Sequence, residues 1–334
     1  MAKILPVFLP FASCGNKCIF CDQQAISGVR AGSDLLSLAE TQIEKWLSYS
    51  PTYNEIAFYG GNFAAINKDI REKLYKLAYD LGVKKIRFST RPDTINSETL
   101  AEIKDYQISL VELGIQSLDN EVLAANGRPY TSNQALDAVD NILKITDCGV
   151  QLMAGMYKQS LSSSIDDAAV FSKKSVKTAR IYPTQVLKNT ALYDLFKKGI
   201  YKATELEDII LAAGGMYIHF MAEDVQVIRM GLPEDAAESG EIAGGASHKS
   251  FGDIVKTLVM ILYMNMGGKI RYSGFKKVGR KLFSKNYEIY NDINESDINE
   301  ICRQVRREYL EDSKRFIKGQ AASFARELKN AANN

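Results

Sequence analysis

The chain has 334 residues, of which 46% are hydrophobic and 25% are charged, a composition typical of folded globular proteins. Its formal net charge of +2 provides no general attraction for nucleic acid or for an anionic membrane surface. No run of about eighteen apolar residues occurs, which argues against a membrane-spanning helix. Three of the five cysteines fall within eight residues, a spacing that favours a metal site in a reducing cytoplasm over disulfides.

The first half of the chain alternates short β-like runs with longer helical patterns. Six strands are predicted at residues 4–9, 55–59, 85–89, 109–113, 150–153 and 179–182. Helices are predicted between them at residues 35–49, 70–81, 96–105 and 133–146. This alternation is typical of β-α units around a parallel sheet, so we predict an α/β fold with a partial parallel (β/α)6 barrel.

Beyond Pro183 the pattern becomes mainly helical. Helices are predicted at residues 190–198, 205–222 and 251–265, with a charged helix at 300–330 and a further strand at 225–229. We therefore predict two domains, a barrel core at residues 1–185 and a mainly helical C-terminal region at 186–334.

A basic segment at residues 269–285 carries seven cations and no acidic residue, with Tyr272, Phe275 and Phe283 between them. Cations of this kind can contact phosphates, and aromatic rings can stack on unpaired bases. An acidic stretch follows, and most charge runs are simply solvated surface. Contact with nucleic acid and a solvated surface both remain open for this segment.

Cys14, Cys18 and Cys21 directly follow the first predicted strand. Thiolates bind iron–sulfur clusters, and three thiolates on one loop leave the fourth iron of a [4Fe–4S] cluster without a protein ligand. A zinc site is the alternative, and its fourth ligand would come from Cys148, Cys302, His219, His248 or Asp22. A lipidated Cys14 behind an export signal is a further alternative, but it would leave the other two cysteines unexplained.

Other unusual residues follow the next three predicted strands. Gly60, Gly61 and Asn62 follow the second strand, Arg91 follows the third, and Gln116 follows the fourth. Loops at the carboxyl ends of parallel strands carry the chemistry of β-α barrels, and glycines there let the backbone approach a ligand. The alternatives are a plain turn at the glycines, a salt bridge for Arg91 and a turn cap for Gln116.

The motif Cys-x3-Cys-x2-Cys, with Phe20 before its last cysteine, resembles the signature of the radical S-adenosylmethionine superfamily. Residues 89–93 (Ser-Thr-Arg-Pro-Asp), 111–117 (Val-Glu-Leu-Gly-Ile-Gln-Ser) and 180–184 (Arg-Ile-Tyr-Pro-Thr) resemble the radical domain of the Elongator catalytic subunit, a tRNA wobble-uridine enzyme, and its short bacterial relatives. The oxygen-independent coproporphyrinogen oxidases look like more distant cousins. The resemblance extends over roughly residues 4–255.

The resemblance implies a [4Fe–4S] cluster and S-adenosylmethionine as cofactors. It places the cluster on Cys14, Cys18 and Cys21, and contacts to S-adenosylmethionine on Gly60, Gly61, Asn62, Arg91 and Gln116. It further implies reductive cleavage to a 5′-deoxyadenosyl radical, a low-potential ferredoxin or flavodoxin as electron donor, and tRNA or another RNA as substrate. One alternative is a radical S-adenosylmethionine enzyme that acts on a small-molecule or tetrapyrrole-like substrate. Another is a metal-stabilised nucleic-acid-binding protein, which would not be an enzyme. Neither an acid–base residue nor an oligomeric state is indicated.

Several positions depart from the Elongator pattern. That family has a longer gap between its first two cluster cysteines and a C-terminal acetyltransferase domain, for which this chain is too short. Ser89 stands where the family has an acidic residue, and Asn62 stands where an acidic or hydroxyl residue is commoner. Residues 154–157 (Ala-Gly-Met-Tyr) replace a Gly-Leu-Pro type of turn. We expect these differences to alter cofactor or substrate contacts.

Overall fold

A computed structural model describes residues 3–9, 14, 18–22, 34–231, 241–245, 247–266 and 295–317. Within these ranges the strands are β1 (Ile4–Phe8), β2 (Glu55–Tyr59), β3 (Lys85–Thr90), β4 (Leu110–Gln116), β5 (Asp147–Ala154), β6 (Thr178–Pro183), β7 (Gln185–Leu187), β8 (Gln226–Met230) and β9 (Ile242–Gly245). The helices are α1 (Leu35–Tyr49), α2 (Lys68–Asp80), α3 (Ser97–Asp105), α4 (Asn120–Ala125), α5 (Ser132–Leu143), α6 (Leu161–Ser172), α7 (Ala191–Lys197), α8 (Leu206–Ala222), α9 (Phe251–Asn265) and α10 (Glu295–Tyr309).

Seven strands form one sheet in the order β1-β2-β3-β4-β5-β6-β8, and β7 pairs with β9. The pairs β1–β2, β2–β3, β3–β4 and β6–β8 are parallel. The predicted α/β class with a partial parallel β-α barrel is therefore confirmed. The late strand predicted at residues 225–229 is β8, which adds a seventh strand to the six of the predicted core.

The chain divides into two compact units. Unit 1 comprises residues 1–151 and 187–191. Its helices begin at polar caps that satisfy free backbone N–H groups: Asp34 caps α1, Asn67 caps α2, Asn96 caps α3, Asp119 caps α4, and Thr131 with Gln134 forms a capping box on α5. In its core Phe63 stacks on Phe58 and Phe88, with ring centroids 5.1 and 4.8 Å apart. This packing fixes the short 3₁₀ turn Phe63–Ala65 that follows β2.

Unit 2 comprises residues 152–186 and 192–334. Its central helix α8 is buried along almost its whole length, because Gly214 and Gly215 let neighbouring helices approach closely. A Cβ atom would lie 2.7 Å from Leu258 of α9 if added at Gly214, and 2.7 Å from Ile165 of α6 if added at Gly215. α8 therefore joins α6 and α9 in one helical layer.

The prediction of one continuous helix at residues 300–330 is wrong. α10 ends at Tyr309, and a short helical turn starts again at Ser313. Asp312 causes the new start, because its Oδ1 accepts the backbone N–H groups of Lys314 and Arg315 at 2.9 and 3.1 Å. Residues 318–330 and the basic segment 269–285 lie outside the described residues. Within the described part of the chain, no helix is long and apolar enough to cross a membrane.

Candidate cofactor site

The first four strands of unit 1 end at one edge of the sheet. β1 pairs with β2, β2 with β3, and β3 with β4, always in parallel, so their carboxyl ends point the same way. The cysteines follow β1, the glycine pair follows β2, Arg91 follows β3, and Gln116 ends β4. The structure therefore brings these predicted site residues to the same edge, where β-α barrels place their chemistry.

The glycine pair forms a turn that residues with a side chain rarely adopt, with φ of +93° at Gly60 and +24° at Gly61. Asn62 follows and is completely buried. Its Oδ1 accepts hydrogen bonds from Thr90 Oγ1 at 2.5 Å and from the backbone N–H of Arg91 at 3.2 Å. Its buried Nδ2 has no hydrogen-bond partner among the described residues. Asn62 thus joins the ends of β2 and β3, and its Nδ2 remains able to donate a hydrogen bond to a ligand.

Arg91 makes the salt bridge that the sequence left open as an alternative. Its Nε and Nη2 donate to the two carboxylate oxygens of Asp93 at 2.9 and 2.7 Å. Burial opposes the charge of this guanidinium, but Asp93 and, more weakly, the thiol of Cys14 raise the pKa of Arg91. Arg91 therefore remains cationic beside the cysteine loop, although two of its guanidinium nitrogens are bound to Asp93.

Gln116 has a left-handed backbone, with φ of +73°, which is uncommon for a residue with a side chain. Its Nε2 lies 3.2 Å from the position that a Cβ at residue 114 would take, so the side chain folds back over Gly114. Its buried Oε1 has no hydrogen-bond partner in the described part of the chain. The turn is capped instead by Ser117, whose Oγ accepts the N–H of Asp119 at 3.1 Å. Gln116 therefore does not cap the turn, and its Oε1 remains able to accept a hydrogen bond from a ligand.

The structure adds a residue that sequence reasoning missed. Arg128 is buried, and its Nη1 donates to Sγ of Cys18 at 2.9 Å. Its Nε donates to the hydroxyl of Tyr130 at 2.8 Å, and its Nη2 donates to the carbonyl oxygen of Gly114. The available signal was the motif Gly127-Arg128-Pro129-Tyr130, in which a cation lies between two residues that favour turns directly after α4.

The site is electrostatically suited to an anionic group. Burial disfavours the charge of Arg128, but its interactions with Tyr130 and Cys18 raise the pKa of this guanidinium. The guanidinium thus places a hydrogen-bond donor and a positive charge against Sγ of Cys18. The thiols of Cys14, Cys18 and Cys21 are all half-buried, which keeps them accessible to a bound group. Three such soft donors beside a permanent cation fit a thiolate-bound iron–sulfur cluster.

The other two cysteines are of a different kind. Cys148 on β5 and Cys302 on α10 are fully buried, and burial raises the pKa of both thiols, that of Cys302 to about 12. Thiols in such surroundings are inert. Over the described ranges no three His, Cys, Asp or Glu side chains are arranged to hold a metal ion, and this includes the three loop thiols. The described residues therefore contain no complete zinc site.

Ser89, the residue that departs from the acidic family pattern, faces a carboxylate from the neighbouring strand. Ser89 of β3 is in register with Glu112 of β4. Gln151 of β5 donates through Nε2 to Ser89 Oγ at 3.3 Å and to Glu112 Oε2 at 3.4 Å. The carboxyl group at this level of the sheet therefore lies on β4 and not on β3, and it is almost completely buried.

Two family models match the chain. The model of the radical SAM superfamily matches residues 8–167, and that of the Radical_SAM C-terminal domain matches residues 176–259. Mouse Elongator complex protein 3 is 23% identical over 244 residues, which cover 59% of this chain and 44% of that protein. The heme chaperone HemW of Lactococcus lactis is 22% identical over 315 residues, which cover 85% of this chain and 78% of that protein. The chain thus spans less than half the length of the Elongator protein.

The solved structures include a matching fold. Elp3 of Methanocaldococcus infernus, lacking its N-terminal residues 1–46, superimposes with a TM-score of 0.57 and 18% identity, over 78% of this chain and 62% of that one. At this identity the likeness concerns the fold alone. The two family matches together cover most of the chain, and the cysteine motif lies inside the first of them. The chain is therefore a member of the radical S-adenosylmethionine superfamily of enzymes.

Proposed function

We propose that this enzyme cleaves S-adenosylmethionine at a [4Fe–4S] cluster held by Cys14, Cys18 and Cys21, and that it acts on tRNA. The observation that carries the first part is the hydrogen bond from the buried guanidinium of Arg128 to Sγ of Cys18 at 2.9 Å. A permanent cation beside one of the three loop cysteines offsets the negative charge of a three-thiolate cluster, which grows by one unit when the cluster is reduced.

A [4Fe–4S] cluster held by Cys14, Cys18 and Cys21 would supply the electron that splits S-adenosylmethionine into methionine and a 5′-deoxyadenosyl radical. The chain's own residues bind and orient the cofactors. The turn at Gly60 and Gly61 lets the backbone approach the methionine portion. Asn62 Nδ2 and Gln116 Oε1, which have no partner among the described residues, form hydrogen bonds with polar groups of S-adenosylmethionine. Arg91 contributes positive charge at the same edge.

The substrate assignment rests on the resemblance to the Elongator protein. The motifs that carry this resemblance lie at the ends of β3, β4 and β6. A low-potential ferredoxin or flavodoxin would deliver the electron, and the cytoplasm is the compartment in which five free cysteines are expected.

The cleavage is tested anaerobically with the full chain. The cluster is reconstituted, dithionite and S-adenosylmethionine are added, and 5′-deoxyadenosine is quantified for the wild type, Cys18→Ala and Cys302→Ala. The buried Cys302 is the matched control, because its replacement also removes one thiol. We expect product from the wild type and the control, and none from Cys18→Ala. A wild type that holds the cluster and forms no product would disprove the proposal.

The substrate is tested in the same assay. Bulk tRNA lacking wobble modifications should stimulate formation of 5′-deoxyadenosine. A pool of small metabolites and tetrapyrroles serves as the comparison. If that pool stimulates the reaction and tRNA does not, the tRNA assignment is wrong while the cleavage chemistry stands.

A further inference from the structure

The hydroxyl group of Tyr130 lies at the centre of the hydrogen bonds around Arg128. It accepts the Nε–H of Arg128 at 2.8 Å. It also lies 2.9 and 2.7 Å from the carbonyl oxygens of Gly114 and Ile115 at the end of β4. The carbonyl oxygen of Gly114 in turn accepts Nη2 of Arg128. Nε and Nη2 are therefore both held at the end of β4, and Nη1 is the nitrogen that contacts Sγ of Cys18.

The chemistry of the three groups fixes the direction of these hydrogen bonds. A guanidinium only donates and a carbonyl oxygen only accepts, so the phenol accepts from Arg128 and gives its own proton to β4. Burial raises the pKa of Tyr130 to about 12, although Arg128 acts in the other direction, so the phenol keeps this proton at neutral pH. The ring adds a second contact, because Cζ of Arg128 lies 5.0 Å from its centroid. Tyr130 therefore holds the guanidinium without neutralising its charge.

Tyr130 is itself fixed in place by the start of α5. It directly precedes Thr131, which caps this helix in a capping box with Gln134. Its side chain is only 5% exposed, and Pro129 restricts the backbone between it and Arg128. An arginine side chain has several rotatable bonds, so one hydrogen bond to a sulfur would not by itself hold it in a single orientation. A rigid aromatic side chain at the start of a helix supplies the missing constraint.

We propose that Tyr130 is a positioning residue that directs the guanidinium of Arg128 onto Sγ of Cys18. That this contact serves a bound [4Fe–4S] cluster rests on the function proposed above. Hydrogen bonds and charge at the sulfurs set the reduction potential of such a cluster. Without the phenol hydroxyl, Nε of Arg128 would be buried without an acceptor, and the guanidinium would turn toward another one. The contact with Cys18 would then weaken, and the reduced cluster would be less stable.

The contact between Tyr130 and Arg128 is measured first, on the full chain without a cluster. Nuclear magnetic resonance of protein with isotope-labelled arginine gives the rate at which each Nε–H exchanges with water, and Arg128→Lys identifies the signal of Arg128. Tyr130→Phe keeps the ring and removes only the hydroxyl. Tyr201→Phe is the matched control, because Tyr201 is also 5% exposed and its hydroxyl donates to the carbonyl oxygen of Gly155 at 2.7 Å. We expect the Nε–H of Arg128 to exchange about tenfold faster in Tyr130→Phe and at the wild-type rate in the control.

The wild type alone also tests the contact, should Tyr130→Phe not fold. Arg307 of α10 is exposed and serves as the internal reference. The Nε–H of Arg128 should exchange at least tenfold more slowly than that of Arg307, since a buried hydrogen bond must open before exchange. Equal exchange rates at the two arginines, or equal rates for Arg128 in the wild type and Tyr130→Phe, would overturn the inference.

The effect on the cluster is measured as its reduction potential, in a potentiometric titration followed by electron paramagnetic resonance. We expect Tyr130→Phe to change the one-electron equilibrium about threefold, which lowers the potential by about 30 mV, and Tyr201→Phe to leave it unchanged. In an Arg128→Gln background Tyr130→Phe should have no further effect, because Tyr130 acts through Arg128. An unchanged potential in Tyr130→Phe, or the same shift in both backgrounds, would overturn the inference. A wild type that binds no cluster would instead disprove the proposed function, while the exchange rates would still decide whether Tyr130 holds Arg128.

Discussion

The guanidinium of Arg128 and the thiol of Cys18 lie in hydrogen-bond contact, with Nη1 2.9 Å from Sγ. A second contact joins the same segments, because the backbone N–H of Ile19 donates to the carbonyl oxygen of Asn126 at 3.2 Å. The cysteine loop is therefore attached at two points to the turn that follows α4. Its position depends on residues more than one hundred places further along the chain.

Replacing Arg128 should change the redox properties of the cluster. Cations and hydrogen bonds at cluster sulfurs stabilise the reduced, more negative form. We expect Arg128→Gln to lower the reduction potential by on the order of 60 mV, the equivalent of a tenfold change in a one-electron equilibrium. A potentiometric titration followed by electron paramagnetic resonance measures this shift. Arg128→Lys retains the charge and should keep most of the potential, whereas an unchanged potential in Arg128→Gln would assign Arg128 a purely structural role.

The sequence predicted the features that depend on local pattern. The strands β1 to β6 and their order follow from alternating periodicity, and their parallel arrangement brings the residues after β1, β2, β3 and β4 to one edge. Contacts between distant segments were not predictable in this way. The partner of Cys18 is separated from it by 110 residues, and no periodicity reports such a pairing. The helix break at Asp312 was missed because a charged stretch at helical spacing conceals a capping residue.

Asn62 allows a structural role to be separated from cofactor contact. Its Oδ1 also accepts from Thr94 Oγ1 at 3.1 Å. Together with Thr90 Oγ1 and the backbone N–H of Arg91, three groups therefore contact this one oxygen. Asn62→Asp keeps an acceptor at the same place, removes the Nδ2 donor and puts a carboxylate in a completely buried position. We expect a lower free energy of unfolding, because the donors around Oδ1 offset the burial of this charge only in part, and about tenfold weaker binding of S-adenosylmethionine, the value of one hydrogen bond. Urea denaturation and equilibrium dialysis measure the two quantities.

The comparison variant is Asn62→Leu, which leaves the backbone N–H of Arg91 without its acceptor, whereas Thr94 Oγ1 can still donate to the carbonyl oxygen of Arg91 at 2.8 Å. It should lower the free energy of unfolding by about 1 to 3 kcal/mol, since an unsatisfied buried group is costly. If Asn62→Asp bound S-adenosylmethionine as tightly as the wild type, Nδ2 would not be a cofactor contact.

A buried ion pair supports the turn that follows Asn62. Arg71 of α2 donates through Nε to Glu102 Oε1 of α3 at 2.8 Å, and Tyr75 donates to the same oxygen at 2.8 Å. Arg71 Nη1 also donates to the carbonyl oxygens of Ala64, at 3.0 Å, and Ile66. The pair therefore connects two helices with the 3₁₀ turn behind the glycine motif.

Glu102→Gln should be strongly destabilising, because it leaves the Arg71 charge buried without a counterion. We expect a loss of about 3 to 5 kcal/mol in the free energy of unfolding, measured by urea denaturation. Glu98→Gln is a matched control on the same helix. Its 3.7 Å ion pair with Lys68 is more than half exposed at both side chains, so its loss should cost less than about 1 kcal/mol. Equal losses in the two variants would contradict the proposed support.

His219 should make the stability of unit 2 dependent on pH. Its side chain on α8 is 8% exposed, and its Nδ1 has no hydrogen-bond partner within the described residues. Burial, with the positive charges of Arg306 on α10 and Lys173 after α6, lowers the pKa of His219 to about 4, while Glu223 acts weakly in the other direction. The imidazole is therefore neutral in the folded protein at neutral pH.

The sign of the effect follows from the two pKa values. In the unfolded chain histidine titrates at about 6.5, so between pH 4 and pH 6.5 the unfolded state binds more protons than the folded state. The contribution of neutral His219 is fully present above this window and is lost as the pH falls through it, by at most about 3 kcal/mol. His219→Leu cannot titrate, and the carboxylates common to both proteins cancel in the comparison. Urea denaturation at pH 7.5 and pH 4.5 should therefore show a smaller loss of stability in the variant than in the wild type, and parallel losses would mean that His219 is protonated equally in both states.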